Sequence, residues 1–408
     1  MSTSGQEGLI PQLLQPAVQQ FIKTHESSDV QSLSLQFDSV NGIPFARIAE
    51  QIAGRQKARL KLPEYFAADR ILYPPAVNLQ QCSSENTARF KADLLTPGGL
   101  PEYQSCADLT GGFGVDSFYL GRIFRHLHFV EPDGQLLRLA RHNHECLGNH
   151  NISYYNTDAD SFLANTDRHF DLIYLDPSRR PGSTGKVIEL TSYAPDVRTV
   201  IPSIVNHSRH FLLKASPMLD IQRGLQVLPQ VKRVIVVAVN NEVRELLFFC
   251  DREHSGEPLL EAVDLMKEMT SAFSFYRAEE QISTVEHADP LRYLYEPNAS
   301  LLKAGAFKII ALRFGLYKLH RNTHLYTSDE FVEDFPGRVF EVRAIAGRMS
   351  PELGRYFPDG RANVIIRNYP LSADQLRAKA GLRDGGDNYL IGLTSEKRKI
   401  IVAARRLL

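Results

Sequence analysis

A strand-like run ending in Asp108 leads into Leu109-Thr110-Gly111-Gly112-Phe113-Gly114-Val115, and a helix-like segment follows. Glycines in such a turn let the backbone approach a ligand closely and leave helical N–H groups aimed at it. About 20 residues on, the run HFVE ends in Glu131, where a carboxylate can accept both hydroxyls of a ribose. A third strand-like run is followed by Asn156-Thr157-Asp158-Ala159, which sets another carboxylate at a strand edge, suited to the N–H₂ donors of an adenine. The fourth delivers Asp176-Pro177-Ser178-Arg179-Arg180-Pro181-Gly182. Asp108, Glu131 and Asp158 in one crevice repel phosphates and favour a cationic ligand. The glycine spacing is not G-x-G-x-x-G, and no G-x-x-x-x-G-K-S/T phosphate loop occurs. A nicotinamide cofactor would use the same ribose-binding acid, so a dehydrogenase is the second reading of these residues. The structural alternative is that the acids are helix caps and loop residues.

Short apolar runs alternating with helical stretches imply a parallel α/β sheet. Seven strands are predicted between Cys106 and Asp251: SCADL, HLHFVE, ISYYN, FDLIYLD, HFLLKA, RVIVVAV and ELLFFC. Only NNEVR separates the last two, too little for a helical crossover, so they pair antiparallel. GQLLRLARHNHECLG reads as a helix closed by Gly148. His142, His144 and Glu145 within it lack the H-E-x-x-H metal pattern and read as surface residues. Upstream, apolar residues at three and four spacing predict a helical region over residues 1–95, and Ser83-Ser84-Glu85 starts a capped helix running to about Leu95. Thr96-Pro97-Gly98-Gly99-Leu100-Pro101 is a turn-rich boundary. Downstream, EPLLEAVDLMKEM reads as an acidic helix. After it, YLYEP and ASLLKAGAF, then FPGRVFEVRAI, ANVIIRNYP, SADQLRAKAGL, YLIGLT and RKIIVAARRL, read as small α+β modules. The expected domains are 1–95, 96–254, 255–330 and 331–408.

The chain has 408 residues, 43% of them apolar and 23% charged, enough for two to four cores. No run reaches about 18 apolar residues and the start lacks a signal-peptide pattern, so a cytoplasmic protein is expected, with no membrane partner. Four scattered cysteines, without CxxC or Cys/His spacing, predict neither disulfides nor a metal site. Basic and acidic residues balance at 47 each, but beyond Arg338 basic residues lead by about two to one, ending in Lys397-Arg398-Lys399 and Arg405-Arg406. That excess suits a nucleic-acid surface or a solvated face equally.

Taken in order, DLTGGFG, FVEPD, NTDA and LDPSRRPG resemble the motifs of class I S-adenosylmethionine (SAM) dependent methyltransferases over residues 103–251. QCSSENTARFKADL before them, and YLYEPNASLLKAGAFK, FPGRVFEV and NVIIRNYP after them, resemble the bacterial branch that carries a ferredoxin-like insert and a C-terminal THUMP-like domain. The resemblance implies a Rossmann-like seven-stranded sheet whose last strand is antiparallel, preceded by helices and followed by small α+β modules. It implies SAM as cofactor, and RNA, a tRNA or rRNA base, as substrate. By it, Asp108, Gly111, Gly112, Phe113 and Gly114 would contact the methionyl part, Glu131 the ribose, and Asp158 with Ala159 the adenine. Asp176, Pro177, Ser178 and Arg179 would form the catalytic loop. Ser83, Ser84 and Lys91 would close over the methionine end, or form a capped surface helix with one solvated lysine.

Methyl transfer is an in-line displacement at a sulfonium methyl, which needs orientation and desolvation more than a strong base. Base-amine methyltransferases carry Asp/Asn-Pro-Pro followed by an aromatic residue; here Ser178 and Arg179 replace the second proline and the aromatic. Arg179 and Arg180 could stack on a base, bind phosphate or pin the loop. DPSRRPG also resembles the loop of pyrimidine C5 methyltransferases, whose nucleophilic cysteine would fall where Leu213-Lys214-Ala215-Ser216-Pro217 stands, which disfavours that chemistry. Glu296-Pro297-Asn298 and Arg338 face either substrate or a turn. The alternatives to an RNA methyltransferase are a SAM-binding or RNA-binding scaffold without catalysis and a DNA or small-molecule methyltransferase.

Overall fold

All seven predicted strands form, and turn chemistry explains where several elements stop. The computed structural model describes residues 9–96, 104–179, 190, 193–267, 269–396 and 398–407. They divide into two units, residues 1–231 with 248–255 and residues 232–247 with 256–408.

In the first unit, strands Ser105–Asp108, His126–Val130, Ile152–Tyr155, Phe170–Leu175 and Ser208–Ala215 are parallel. Their spatial order places Ser105–Asp108 between His126–Val130 and Phe170–Leu175, so the order of the chain reverses on either side of Asp108. Asp108 aligns with Phe129 on one side and Tyr174 on the other. Ligands of open α/β sheets bind at the strand ends beside such a reversal.

Helices precede the sheet, the longest being Phe45–Lys61. Within the predicted helical region there is also a two-stranded ribbon, Ser39–Val40 with Ile43–Pro44, turned by Asn41 and Gly42 at φ 53° and 79°. Asn-Gly is the dipeptide that such a turn selects. Ser84 caps Glu85–Leu95 by accepting the Thr87 N–H, as the serine-acid pattern predicts. Ala58, Leu62, Tyr65, Leu79, Ala88 and Ala92 share a core with Phe113, Val115, Phe118 and Tyr119, so the helical region is built onto the glycine turn and the helix Val115–Leu120. Glu64 adds a polar tie, accepting from Tyr119 Oη at 2.9 Å and pairing with Arg89 and Arg122.

The second unit takes in most of Val231–Val239, which turns through Asn240 and Asn241, both at positive φ, into Glu242–Asp251, whose residues from Phe248 on are counted with the first unit. EPLLEAVDLMKEM is not helical: Leu259–Leu265 is a strand parallel to Val231–Val239 and antiparallel to Thr270–Tyr276. Its acids belong to the segment predicted as an acidic helix, but Glu261 is held by both Nε and Nη2 of Arg233, and Asp264 accepts the Asn241 N–H. Those pairings let charges sit inside a sheet. A separate seven-stranded sheet contains Tyr293–Pro297, Gly337–Ala346, Asn363–Arg367, Asn388–Thr394 and Lys399–Arg406. Leu294, Phe340, Ile391, Leu393, Ile400 and Val402 fill one of its faces, and the helix Ala373–Ala380, with its Ser372/Gln375 capping box, covers part of the other. No helix among the described residues is long and apolar enough to cross a membrane. Lys397 and residues 97–101 of the predicted boundary lie outside the described residues.

Candidate active site

Asp108 ends its strand with only 1% of its surface exposed. Its carboxylate accepts from the Ser117 hydroxyl and from the Thr110 N–H, and among the described residues no cation pairs with it. Burial pushes it up to about 7, against the pull of those two hydrogen bonds and with help from the negative Asp116 and Asp176.

The turn that follows is shaped by contact. A Cβ on Gly111 would lie 2.3 Å from the Phe129 ring, and Gly111 N–H donates to Val130 O. Gly114 sits at φ +85°, and its carbonyl bonds His144 Nε2 at 2.8 Å. His144 is fully buried, with Nδ1 at 3.0 Å from Tyr154 Oη, and burial pushes it down to about 4. This corrects its assignment to the surface: the apolar wall around it holds a neutral imidazole that ties the helix Gly134–Cys146 to the turn. Phe113 faces the helical core, 5.6 Å from Tyr65, and so belongs to the packing of the turn.

Glu131 is 8% exposed and accepts from Gly112 N–H at 2.7 Å and Asp133 N–H at 2.8 Å; burial raises its proton affinity. Asp158 is exposed and caps Ala159–Ala164, accepting from Ser161 N–H and Oγ, and the backbone bond lowers its affinity for a proton. Ala159 beside it is buried. Asp108, Gly111, Gly112, Gly114, Glu131 and Asp176 thus gather at one edge of the sheet, while Asp158 already holds a helix end.

Asp176 is half-buried and bound from two sides: its N–H donates to Thr110 Oγ1 at 2.6 Å, and its Oδ2 accepts from Lys214 Nζ at 2.6 Å. Lys214 also reaches Ser83 Oγ at 3.1 Å. Ser83 Oγ donates to Asp116 Oδ2 at 2.7 Å, Tyr174 Oη reaches the same oxygen at 2.8 Å, and the fully buried Lys91 lies 3.2 Å from Oδ1. Burial would raise Asp116, but Lys91 and Lys214 with the two hydroxyls outweigh it and hold Asp116 below the usual carboxylate range. Ser83 and Lys91 therefore join the site, and Lys91 is not solvated. Ser84 is the helix cap. Pro177 is buried, and Ser178-Arg179 pair with Tyr193–Ala194 as a short ribbon. Arg180, Pro181 and Gly182, and the side chain of Arg179, lie outside the described residues.

Thr110, Asp116, Tyr174 and Lys214 were missed by sequence reading. Lys214 had a signal, a lysine at the end of the apolar strand HFLLKA. The others are ordinary residues beside a motif, and only the fold converges them.

A parallel sheet that reverses beside a glycine turn, with acids at the ends of its first, second and fourth strands, is the class I methyltransferase fold. The chain is 31% identical to a "putative methyltransferase" from Porphyromonas gingivalis W83, over 96% of this chain and 98% of that one, with a TM-score of 0.84. It belongs to that methyltransferase family. Family profiles match a ferredoxin-like domain at residues 293–336 and a THUMP domain-like segment at 337–406. Similarity also extends to a Streptococcus mutans structure solved with SAH, at 13% identity, covering 39% of this chain and 94% of that one with a TM-score of 0.31. A Thermus thermophilus 16S rRNA N2 G1207 methyltransferase, in complex with AdoMet and guanosine, matches at 18% identity over 42% of this chain and 44% of that one, TM-score 0.33. No curated protein matches the chain significantly.

Gly111→Ala should cost about 1–3 kcal/mol through overpacking against Phe129, read from denaturant midpoints. Asp108 binds its proton more tightly folded than unfolded, so it favours the folded state at low pH, and that contribution is lost as pH rises from about 4 to about 7. The stability difference between wild type and Asp108→Asn should therefore shift toward the variant by a few kcal/mol (order of magnitude) over that window. Equal pH profiles for the two proteins would count against an unpaired carboxyl at this position.

Proposed function

We propose that the first unit binds SAM at the strand ends around Asp108 and directs its methyl group to an RNA base. The observation that carries the reading is Asp108 itself, a buried carboxyl whose partners are the Ser117 and Thr110 hydroxyls and the Thr110 N–H, with two further acids near it. A ligand bringing positive charge relieves that arrangement, whereas a phosphate aggravates it. SAM supplies such charge in its sulfonium and α-amino groups, and a methyl group activated for displacement.

The chain's own residues then have separable tasks. Gly111, Gly112 and Gly114 let the backbone come close to the methionyl part. Glu131 offers a ribose acceptor in a carboxylate fixed by two backbone N–H groups. Asp158 and Ala159 border the adenine. Asp176 accepts a hydrogen bond from the nucleophile's N–H and orients its lone pair toward the methyl group. Lys214 and Thr110 hold Asp176 in place for this. Pro177, Ser178 and Arg179 form the rest of the acceptor loop. RNA is favoured as acceptor by the THUMP domain-like match at residues 337–406 and by the basic excess there.

Purified protein is incubated with methyl-labelled SAM and undermethylated total RNA from a deletion strain, with DNA and metabolite extracts alongside. Label in a discrete RNA band is expected. Label only in DNA or metabolites would move the acceptor to those classes, and calorimetric SAM binding without any transfer would identify a scaffold. Asp176→Ala should lower transfer by about 100-fold or more with SAM affinity nearly unchanged. Lys214→Met should lower kcat by about 10- to 100-fold with Lys214→Arg partly restoring it, as expected of a positioning residue. An unchanged kcat in Lys214→Met would remove Lys214 from the mechanism.

A further inference from the structure

Glu296 lies at the end of strand Tyr293–Pro297 in the second unit and is 1% exposed. Two arginines from two other strands close on it. Arg338, opposite Glu296 in the register of Gly337–Ala346, places Nε at 2.8 Å and Nη2 at 2.5 Å from Oε2. Arg367, the last residue of Asn363–Arg367, pairs through Nη2 with Oε1 and donates Nη1 to the Ile366 carbonyl at 2.8 Å. The acid is at the back and the cations are in front: the arginine side chains keep 29% and 37% of their surface exposed.

One guanidinium is enough to neutralise one carboxylate and occupy both its oxygens, as Arg233 does for Glu261 in the same unit. At Glu296 there are two. The group carries one uncompensated positive charge, and its guanidiniums hold more N–H donors than Glu296 and one carbonyl accept. The charge is felt nearby: burial, then Lys318 and Arg367, push His324 down to about 4. Bracing by a buried acid also freezes two long side chains in advance, which removes part of the ordering cost that a surface arginine meets on binding. Forked donors presented in a fixed plane match the paired oxygens of a phosphate.

We propose that Arg338 and Arg367, braced by Glu296, form a binding site for a phosphodiester group of RNA. This rests on the RNA reading above, and it assigns to the second unit a defined contact. Glu296 and Arg338 then face substrate through the arginines alone, Glu296 itself touching no ligand. Asn298, singled out with them in the sequence, caps the helix Ala299–Ala304 instead.

The test uses the full chain and a fluorescein-labelled total tRNA fraction, with Kd measured by anisotropy from low to moderate salt. Arg338→Gln and Arg367→Gln should each weaken binding and each lower the slope of log Kd against log salt by about one. Arg→Lys variants, which keep the charge and lose the fork, should retain the slope and lose part of the affinity. Because removing one arginine disturbs a buried acid, the triple variant Glu296→Gln/Arg338→Gln/Arg367→Gln is measured as well; it leaves no orphan charge and, losing the same single phosphate contact, should also show a slope lower by about one. Calorimetric SAM binding in the first unit and the melting temperature report folding. Folded variants with wild-type affinity and slope overturn the proposal. If wild type binds no RNA, inorganic phosphate separates the two ideas: a melting temperature raised by phosphate in wild type and not in the triple variant keeps the oxyanion site and removes the RNA reading, and no phosphate effect removes both.

Discussion

A lysine with no exposed surface is tolerated only with an anion beside it, and Lys91 has Asp116. This pair joins the helix Glu85–Leu95 to the first turn of Val115–Leu120, the helix that the glycine turn feeds. Much else in the first unit depends on it. With Asp116 fixed, Ser83 and Tyr174 can donate to it, Lys214 can bridge Ser83 to Asp176, and the fourth strand's acid is held at a set place beside the first strand's. Breaking such a buried pair by removing one partner costs about 3–5 kcal/mol, because the remaining charge has nowhere to go. The helical region is therefore part of the site's construction, and its core of Tyr65, Leu79 and Ala88 packs on Phe113 and Phe118 from the same side.

How much of this was legible in the sequence follows from the range of each interaction. Strands announced themselves through apolar runs ended by turn residues, and the start of Glu85–Leu95 through the serine before it, since both depend on neighbours in the chain. The acids of the crevice were found because each ends a strand. Leu259–Leu265 was misread because its acids are paired across strands with Arg233 and the Asn241 N–H, partners no local window contains. His144 was misread for the same reason: its helix exposes Arg141 and Glu145, and only the packing of Tyr154 and the Gly114 carbonyl puts the imidazole inside. Lys214 and Asp176 are 38 residues apart and Lys214 and Ser83 are 131 apart, so nothing short of the fold relates them.

The second unit uses the same chemistry to another end. Arg233 closes on Glu261 and satisfies it, a self-contained pair inside a sheet. Glu296 is ion-paired with two guanidiniums whose side chains keep 29% and 37% of their surface exposed. A single guanidinium can occupy both oxygens of a buried carboxylate, as at Glu261, so the second cation at Glu296 exceeds what neutralises it. Excess donors held rigidly at a surface are better explained by what they can bind.

Two buried acids in the first unit, eight positions apart, are driven in opposite directions by their surroundings. Asp116 faces two lysines and stays ionised; Asp108 faces a hydroxyl and an N–H and is pushed up to about 7. Environments that separate neighbouring acids in this way divide their roles. Asp116 is already compensated and can act only through what it holds. Among the described residues no cation pairs with Asp108, and a ligand that brought one would be stabilised there. Such a ligand gains most where Asp108 is deprotonated, at and above neutral pH, which favours a sulfonium amino acid over a neutral or anionic molecule at this turn. The strand reversal supplies the position, the glycines the close approach, and the missing cation the preference.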